Sequence, residues 1–257
     1  MTDLCRACLE QTRVTISSVK CNFLSVVFIF VAVLFGAPTV QAAALDAYVL
    51  GTTTATSTGE IKEVALTFDD GPYGTSTSQV LDILHGEGVH ASFFLVGKNV
   101  EKYPELARRI AQRGDVIGNH TYDHTKHLAT MSLKQMRIEL LKTDRAIAST
   151  TGIHTKLFRP PYGILSPKLK QELHRQGYTI VMWNVDPRDW DYASSTSEVI
   201  VQHVLTHLKP HMNILLHDGR DTHENYPRDN LVEALPVLIQ DLKSLGYVFV
   251  TVPELNK

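Results

Sequence analysis

The stretch VALTFDDG, residues 64 to 71, is an apolar run that ends in two adjacent carboxylates, Asp69 and Asp70, and a glycine. An apolar run of this length, bounded by turn residues, is typical of a strand that is buried on both faces of a parallel sheet. Two neighbouring carboxylates repel each other, so both stay ionised only when a cation or an arginine lies close by. The stretch therefore predicts a buried strand that ends in a charged site.

The composition indicates an ordinary globular protein. The chain has 257 residues, of which 44% are hydrophobic and 20% are charged, and its formal net charge is -2. This length is sufficient for one large domain with a substantial core. The hydrophobic content excludes disorder of the whole chain. Since no block of lysine and arginine stands out, the composition also argues against a nucleic-acid partner or a polybasic membrane patch.

Residues 1–42 have the pattern of a signal peptide or an N-terminal membrane anchor. Three basic residues precede an apolar run over residues 23–37, and small residues follow it up to Ala42. A membrane span needs about 18 apolar residues, and the small residues up to Leu45 could extend the run toward that length. We therefore expect export to the cell envelope, the extracellular space or the outer face of the cytoplasmic membrane, with membrane contact only through an uncleaved N-terminal segment.

The exported part of the chain has no cysteine. Cys5, Cys8 and Cys21 all precede the apolar run, so disulfides and thiolate ligands are excluded from the exported part. Residues 43–60 are small and polar, which predicts a linker. Residues 61–257 then form a single predicted catalytic domain.

From residue 61 onward, β-rich runs alternate with amphipathic stretches. The predicted strands are seven: 63–68, 91–97, 115–120, 156–160, 179–185, 213–217 and 247–252. The predicted helices are 78–85, 103–113, 132–150, 166–176, 197–208 and 231–245. Because no glycine-rich dinucleotide motif follows the first strand, this alternation favours an α/β fold with a distorted (β/α) barrel of about seven parallel strands over an open doubly wound sheet.

Ionisable groups stand at five of the seven predicted strand ends. In a (β/α) barrel the carboxyl ends of the strands converge on one face, where catalytic groups are expected. Two histidines and a carboxylate form a three-ligand metal site with an open position for water, and a second carboxylate could accept the proton of that water. The groups are the Asp69–Asp70 pair, HTYDH at 120–124, RPPYG at 159–163, DPRDW at 186–190 and His217.

Each of these groups also has a purely structural interpretation. The aspartate pair could form a charged turn that caps the next helix, and the histidines could be solvated or buried in the core. Arg159 could be a surface ion pair, and Asp186, together with Asp189, could cap a turn. Two histidines and one carboxylate also suit a non-haem Fe(II) oxygenase, although Asp69 and His217 would then have no role.

Five motifs, in their order and spacing, resemble those of the polysaccharide deacetylases, carbohydrate esterase family 4, also known as the NodB homology domain. They are TFDDG at 67–71, HTYDH at 120–124, RPPYG at 159–163, DPRDW at 186–190 and LLH at 215–217. The resemblance covers about residues 61–255. It implies a hydrolase that removes the N-acetyl group from N-acetylglucosamine units of a polysaccharide and releases acetate.

The resemblance implies roles for the residues of the first three motifs. Asp69 is expected to be the general base, and Arg159 is expected to orient it. The metal ligands are expected to be Asp70, His120 and His124. The metal is expected to be zinc, although histidine and carboxylate ligands also accept cobalt, nickel or manganese.

The remaining roles implied by the resemblance concern the substrate and the leaving group. The backbone N–H of Tyr162 is expected to stabilise the oxyanion. His217 is expected to protonate the leaving amine, with Asp186 supporting it. Trp190 and Leu215 are expected to form the walls of the pocket for the acetyl methyl group.

The polymer itself is less closely specified by the sequence. Peptidoglycan is the first expectation, because a signal-like segment, a linker and one catalytic domain suit an enzyme of the cell envelope. Chitin or a chitooligosaccharide is the alternative. A non-catalytic glycan-binding module on the same fold is a third possibility, which would be expected to lack a catalytic group. We expect a monomer whose partner is a glycan that contains N-acetylglucosamine.

Overall fold

The computed structural model describes residues 61–219 and 229–255. The predictions for the signal or anchor segment, the three cysteines and the linker lie outside these residues. Among the helices of the described residues, none combines the length and the apolar character needed to cross a membrane.

Strands and helices alternate along the described chain, as the sequence predicts. The strands are β1 (Glu63–Asp69), β2 (Ser92–Leu95), β3 (Val116–Asn119), β4 (Leu157–Phe158), β5 (Thr179–Ile180), β6 (His211–His217) and β7 (Val248–Phe249). The helices are α1 (Gly74–Gly86), α2 (Gly97–Lys102), α3 (Pro104–Gln112), α4 (Leu133–Thr151), α5 (Pro167–Arg175), α6 (Ser197–Thr206) and α7 (Asp229–Ser244). Of these, α2 is too short to be recognised by periodicity and was not predicted.

All strand pairs in the sheet are parallel, and the strand order is β5-β4-β3-β2-β1-β6, with β7 paired to the start of β1. A separate parallel bridge joins Val185, which follows β5, to Ile214 in β6. The sheet is therefore curled into an incomplete barrel with helices packed around it. The predicted α/β fold with seven parallel strands in a distorted (β/α) barrel is confirmed.

Strands β4 and β5 are shorter than predicted, because other groups replace the ladder hydrogen bonds. Pro160 and Pro161 follow β4 and have no N–H to donate to a neighbouring strand. After β5, the carbonyl oxygen of Met182 accepts a hydrogen bond from the side-chain Nδ2 of Asn213 at 2.8 Å instead of from the backbone N–H of a neighbouring strand. Side-chain hydrogen bonds thus take over where the strands end at the functional face.

Strand β1 lies inside the sheet, between β2 and β6, and is buried on both faces. Val64, Leu66 and Phe68 join the core beneath the helices, whereas Ala65 packs in a separate cluster with Phe94. Side chains alternate between the two faces of a strand, so an apolar run without alternation requires cover on both sides. The pairing of β1 with both β2 and β6 brings Asp69 and Asp70 between the ends of these two strands.

Candidate active site

Asp69 and Asp70 lie at the carboxyl end of β1, where they are only 3% and 4% exposed. Asp70 has a left-handed backbone, with φ at 71°. Its carbonyl oxygen accepts a hydrogen bond from Asn99 Nδ2 at 2.7 Å, which ties it to α2. The turn of the chain after Asp69 gives the two neighbouring carboxylates different surroundings.

The carboxylate of Asp70 faces His120 and His124, which follow β3. Asp70 Oδ1 lies 3.5 Å from His120 Nε2 and 3.1 Å from His124 Nε2. One ligand atom from each of the three residues lies within 4.8 Å of the others, and all three residues are buried. In the part of the chain that the structure describes, no other group of three or more such residues could hold a metal ion.

The protonation pattern of this cluster suits a divalent cation. His120 Nδ1 lies 2.8 Å from the carbonyl oxygen of Arg159, which can only accept a hydrogen bond. Nδ1 therefore carries a proton, and in the neutral tautomer that a metal ligand needs, Nε2 turns its lone pair toward Asp70. Burial opposes ionisation of Asp70, but the charge of the nearby histidines, His124 first, lowers the pKa of Asp70 well below the usual range. Two imidazole nitrogens and one carboxylate are the donor set of an open zinc site.

Asp69 is held by a different partner, the fully buried Arg159. Arg159 Nη1 donates to Asp69 Oδ1 at 2.9 Å and to Thr67 Oγ1 at 2.8 Å, and its guanidinium lies 4.2 Å from the ring centre of Phe94. The other carboxylate oxygen, Asp69 Oδ2, lies 3.7 Å from His120 Nε2. The positive charge of Arg159 balances the negative charge of the Asp69 carboxylate, and Oδ2 remains on the side of the metal ligands.

His217, at the end of β6, is paired with Asp189. Its Nδ1 lies 2.8 Å from Asp189 Oδ1, and its backbone N–H donates to Asp189 Oδ2 at 2.8 Å. Asp186, which the sequence analysis expected to support His217, instead accepts the backbone N–H of Arg188 through Oδ1 at 2.8 Å within its own turn. Arg188 has a left-handed backbone, φ 59°, and this bend accompanies the approach of Asp189 to His217.

The pairing with Asp189 also determines the charge of His217. Burial disfavours the imidazolium, but the charge of Asp189 and its hydrogen bond to Nδ1 outweigh burial and raise the pKa of His217 to about 9. His217 is consequently protonated at neutral pH in the protein without a bound cation. A protonated imidazole anchored through Nδ1 can donate a proton from Nε2.

The three residues expected to contact substrate differ in exposure. Tyr162 is 50% exposed, and its ring centre lies 4.7 Å from that of His124. Leu215 is buried on β6, two residues before His217, so both side chains leave the same face of the strand. Trp190 directly follows Asp189 and is 43% exposed, with the Arg188 guanidinium 4.9 Å from its ring centre.

Left-handed backbone conformation is concentrated at this site. Within residues 61–219 and 229–255, five residues other than glycine have positive φ, and all lie in loops that carry the groups described above. Each such residue costs about 1–3 kcal/mol and persists only where its surroundings enforce it, which is typical of functional sites. The five are Asp70, Thr121, His124, Tyr162 and Arg188.

Sequence reasoning missed several buried polar residues beside the site. Asn213 Oδ1 lies 3.3 Å from Arg159 Nη2 and 3.1 Å from Thr67 Oγ1, so both residues help to fix the arginine. Asp218 is fully buried, its Oδ2 accepts a hydrogen bond from Thr77 Oγ1 at 2.5 Å, and burial raises its pKa to about 7. No motif distinguishes Asn213 or Asp218, because each lies within or beside a stretch that the sequence predicts only as strand.

The family model described as "Polysaccharide deacetylase" matches residues 56–181. A peptidoglycan-N-acetylglucosamine deacetylase of Bacillus cereus is 41% identical over 194 residues, which cover 75% of this chain and 68% of that protein. A chitooligosaccharide deacetylase of Bradyrhizobium is 36% identical over 202 residues, covering 76% of this chain and 91% of that protein. Several relatives are longer, and the alignment with the Listeria monocytogenes deacetylases covers 39% of their length.

Solved structures give the same result for the fold. The crystal structure of a peptidoglycan N-acetylglucosamine deacetylase with a bound hydroxamate-type benzamide matches with a TM-score of 0.69 and 38% identity, covering 75% of this chain and 87% of that one. A protein of Bacillus anthracis described as a family 4 pseudoenzyme matches with a TM-score of 0.67 and 29% identity, covering 76% of this chain and 65% of that one. Similar folds are therefore found both in a deacetylase and in a protein described as a pseudoenzyme.

Proposed function

Because the chain belongs to the polysaccharide deacetylase family, carbohydrate esterase family 4, we propose that it removes N-acetyl groups from N-acetylglucosamine units of a polysaccharide. The observation that carries this proposal is the placement of two carboxylates and three histidines at one end of the sheet, in three distinct pairings. Asp69 is paired with Arg159, Asp70 faces two histidines, and His217 is paired with Asp189. Metal binding, base catalysis and acid catalysis thus have separate candidates.

Asp70, His120 and His124 are the proposed metal ligands. A divalent cation held by these three residues would supply Lewis-acid activation of the attacking water and of the amide carbonyl. The donor set suits zinc, and cobalt, nickel or manganese are alternatives. The hydrogen bond from His120 Nδ1 to the carbonyl oxygen of Arg159 fixes the tautomer that a ligand needs.

Asp69 is the proposed general base. Arg159 holds Oδ1, so Oδ2 is the atom that would accept the proton of the attacking water as the oxygen bonds to the acetyl carbon. The backbone N–H of Tyr162 is the proposed donor to the oxygen that becomes negative at the acetyl carbon. The left-handed backbone of Tyr162 belongs to the tight turn that presents this N–H.

His217 is the proposed general acid. When the bond between the acetyl carbon and the nitrogen breaks, the proton on His217 Nε2 would pass to the nitrogen, giving a free amine on the sugar and acetate. Asp189 would keep the imidazole oriented and charged, the role that the sequence assigned to Asp186. Trp190 and Leu215 are the proposed walls for the acetyl methyl group, and the exposure of Trp190 suits a position at the mouth of the site.

Peptidoglycan is the proposed polymer. The Bacillus cereus relative is a peptidoglycan-N-acetylglucosamine deacetylase, and an enzyme acting on the cell wall would need the export that residues 1–42 predict. The Bradyrhizobium relative supports chitooligosaccharide as the second candidate. A non-catalytic glycan-binding module is the third, and the presence of every group needed for the reaction favours an enzyme over it.

Acetate release separates these alternatives. The purified protein would be assayed on peptidoglycan, on N-acetylglucosamine oligomers and on chitin, with added Zn²⁺ and again after chelation. We expect acetate from at least one substrate, fastest from peptidoglycan, and none after chelation. Glycan binding without acetate release would favour the non-catalytic module, and release unaffected by chelation would contradict the metal-dependent mechanism.

A further inference from the structure

Two of the three proposed metal ligands come from one short loop, residues 120–124, which follows β3 and is called the ligand loop below. Within it, Thr121 and His124 have left-handed backbones, with φ at 67° and 54°. Residues with a Cβ atom rarely adopt this conformation, so neighbouring contacts must enforce it. The position of the His124 ring relative to Asp70 therefore depends on whatever holds this loop.

The carbonyl groups of the loop are held by the start of α2. The N–H of Gly97 donates to the carbonyl oxygen of Thr121 at 2.9 Å, and the N–H of Lys98 donates to that of Tyr122 at 2.9 Å. Backbone hydrogen bonds of this kind fix one side of the loop. These two hydrogen bonds use only carbonyl groups of the loop, so the N–H groups of the loop need other partners.

The N–H groups are bound by side chains, and the decisive one comes from α4. Glu139 Oε2 lies 3.1 Å from the backbone nitrogen of Tyr122 and 3.4 Å from that of Asp123, and both N–H groups donate to it. These are the two residues directly before His124. Asn119 Oδ1 accepts the N–H of Thr121 at 2.9 Å, one residue earlier.

Glu139 is unusual for a helix residue because it is only 9% exposed. Glutamate is almost never fully buried unless its charge has a partner. Here the carboxylate has two consecutive N–H groups of the ligand loop as partners. Glu139 lies on the inner face of α4, a long helix with a capping box at Ser132, and connects this helix to the ligand loop.

We propose that Glu139 is a positioning residue for the metal site. By accepting the two N–H groups before His124, it fixes the left-handed turn that brings His124 Nε2 to 3.1 Å from Asp70 Oδ1. This inference rests on the proposed function, since it takes Asp70, His120 and His124 as metal ligands. A residue that orients a metal ligand typically changes metal affinity by about 10- to 100-fold when it is removed.

The test compares substitutions that keep or remove the acceptor. Glu139→Gln retains a carbonyl oxygen at the same reach, whereas Glu139→Met has similar length and no comparable acceptor. The matched control is Glu172→Met on α5, another buried helix glutamate, whose carboxylate is bound by Arg137 Nε at 2.6 Å and not by the ligand loop. Glu139→Asp is a milder variant that moves the carboxylate back by one methylene group.

For each protein, the dissociation constant for Zn²⁺ would be measured by competition with a chromophoric chelator, and the Tm would be measured without metal. We expect Glu139→Met to weaken zinc binding by about 10- to 100-fold. Glu139→Gln should stay within about threefold of the parent, and Glu139→Asp should lie between the two. Glu172→Met should lower the Tm and leave zinc affinity unchanged.

Three outcomes would overturn the inference. If Glu139→Met binds zinc as tightly as the parent, or loses affinity only as much as Glu172→Met does, Glu139 has a purely structural role. If Glu139→Met does not fold, Glu139→Asp with unchanged zinc affinity leads to the same conclusion. If the parent protein binds none of Zn²⁺, Co²⁺, Ni²⁺ and Mn²⁺, the proposed metal site fails first, and the measurement on the parent protein alone identifies this result.

Discussion

The two sides of the site are built differently. On the metal side, Asp70, His120 and His124 are all at most 9% exposed and follow β1 and β3, the two strands that flank β2. On the acid side, His217 ends β6, but its partner Asp189 comes from an irregular stretch between β5 and α6. The ends of β1 and β3 therefore place Asp70 and His120 directly, and only His124 depends on a loop, whereas on the acid side Asp189 depends wholly on the path of a loop.

The largest expected effect concerns a metal ligand. His120→Ala should lose both bound metal and acetate release, because two remaining ligands hold a divalent cation poorly. His207→Ala on the outer surface should change neither. Metal content by elemental analysis and acetate release at equal protein concentration are the measurements. Full activity in His120→Ala would show that the metal side does not contain the catalytic metal.

The second prediction separates the two neighbouring aspartates. Asp69→Asn should keep the metal and lose about 10²- to 10⁴-fold in rate, the usual contribution of a general base, because an amide cannot accept the proton of water. Asp70→Asn should instead lose metal, and excess Zn²⁺ should restore part of its activity. Elemental analysis beside acetate release distinguishes the two. Loss of metal in Asp69→Asn with retained metal in Asp70→Asn would show that the roles of Asp69 and Asp70 are exchanged.

The third prediction tests the acid side. Asp189→Asn should lower the rate by less than the ~10²- to 10⁴-fold that a general acid contributes, because His217 remains but is less well oriented and less basic. The upper limit of the pH range of activity should also move to lower pH, since the charge of Asp189 raises the pKa of His217. Asp186→Asn should leave both unchanged. Equal losses of rate in Asp189→Asn and Asp186→Asn would indicate that Asp186 also supports His217.

The difference between the two sides also explains what the sequence could predict. Asp70, His120 and His124 are brought together because parallel strands end on one face, and an apolar run such as residues 64–68 is recognisable without coordinates. DPRDW contains two aspartates, either of which could follow a strand and reach a histidine. The structure separates them through the turn at Arg188, a conformation that residue type does not predict.

The contribution of α4 to the site is the clearest case of what remained hidden. Glu139 lies in a helix that periodicity predicted well, residues 132–150 against the observed Leu133–Thr151. Periodicity shows which side of a helix is apolar, but not that one glutamate on the buried side binds the N–H groups of Tyr122 and Asp123. Such contacts depend on the packing of a helix against a loop, which the sequence alone does not supply.

The smallest expected effect is on stability and distinguishes Asp189 from Asp186 without substrate or metal. The pKa of His217 is raised from its ordinary value of 6.5 to about 9 in the folded protein, with Asp189 as the main raising group. The charge interaction of the pair therefore stabilises the fold fully below pH 6.5, is lost progressively between pH 6.5 and about 9, and is absent above that range. The Tm of metal-free Asp189→Asn should accordingly lie below that of the parent at pH 6 and approach it as the pH rises.

The comparison requires the Tm of the parent, Asp189→Asn and Asp186→Asn, each measured by calorimetry from pH 6 to pH 9.5 without metal. Asp186 accepts only the N–H of Arg188 within its turn, so the Tm difference between Asp186→Asn and the parent should not depend on pH in this way. A difference for Asp189→Asn that stays constant, or grows as the pH rises, would show that the pair does not hold His217 in its charged form. In that case Asp189 would orient the imidazole by its hydrogen bond alone, and the proton for the leaving amine would have to come from another group.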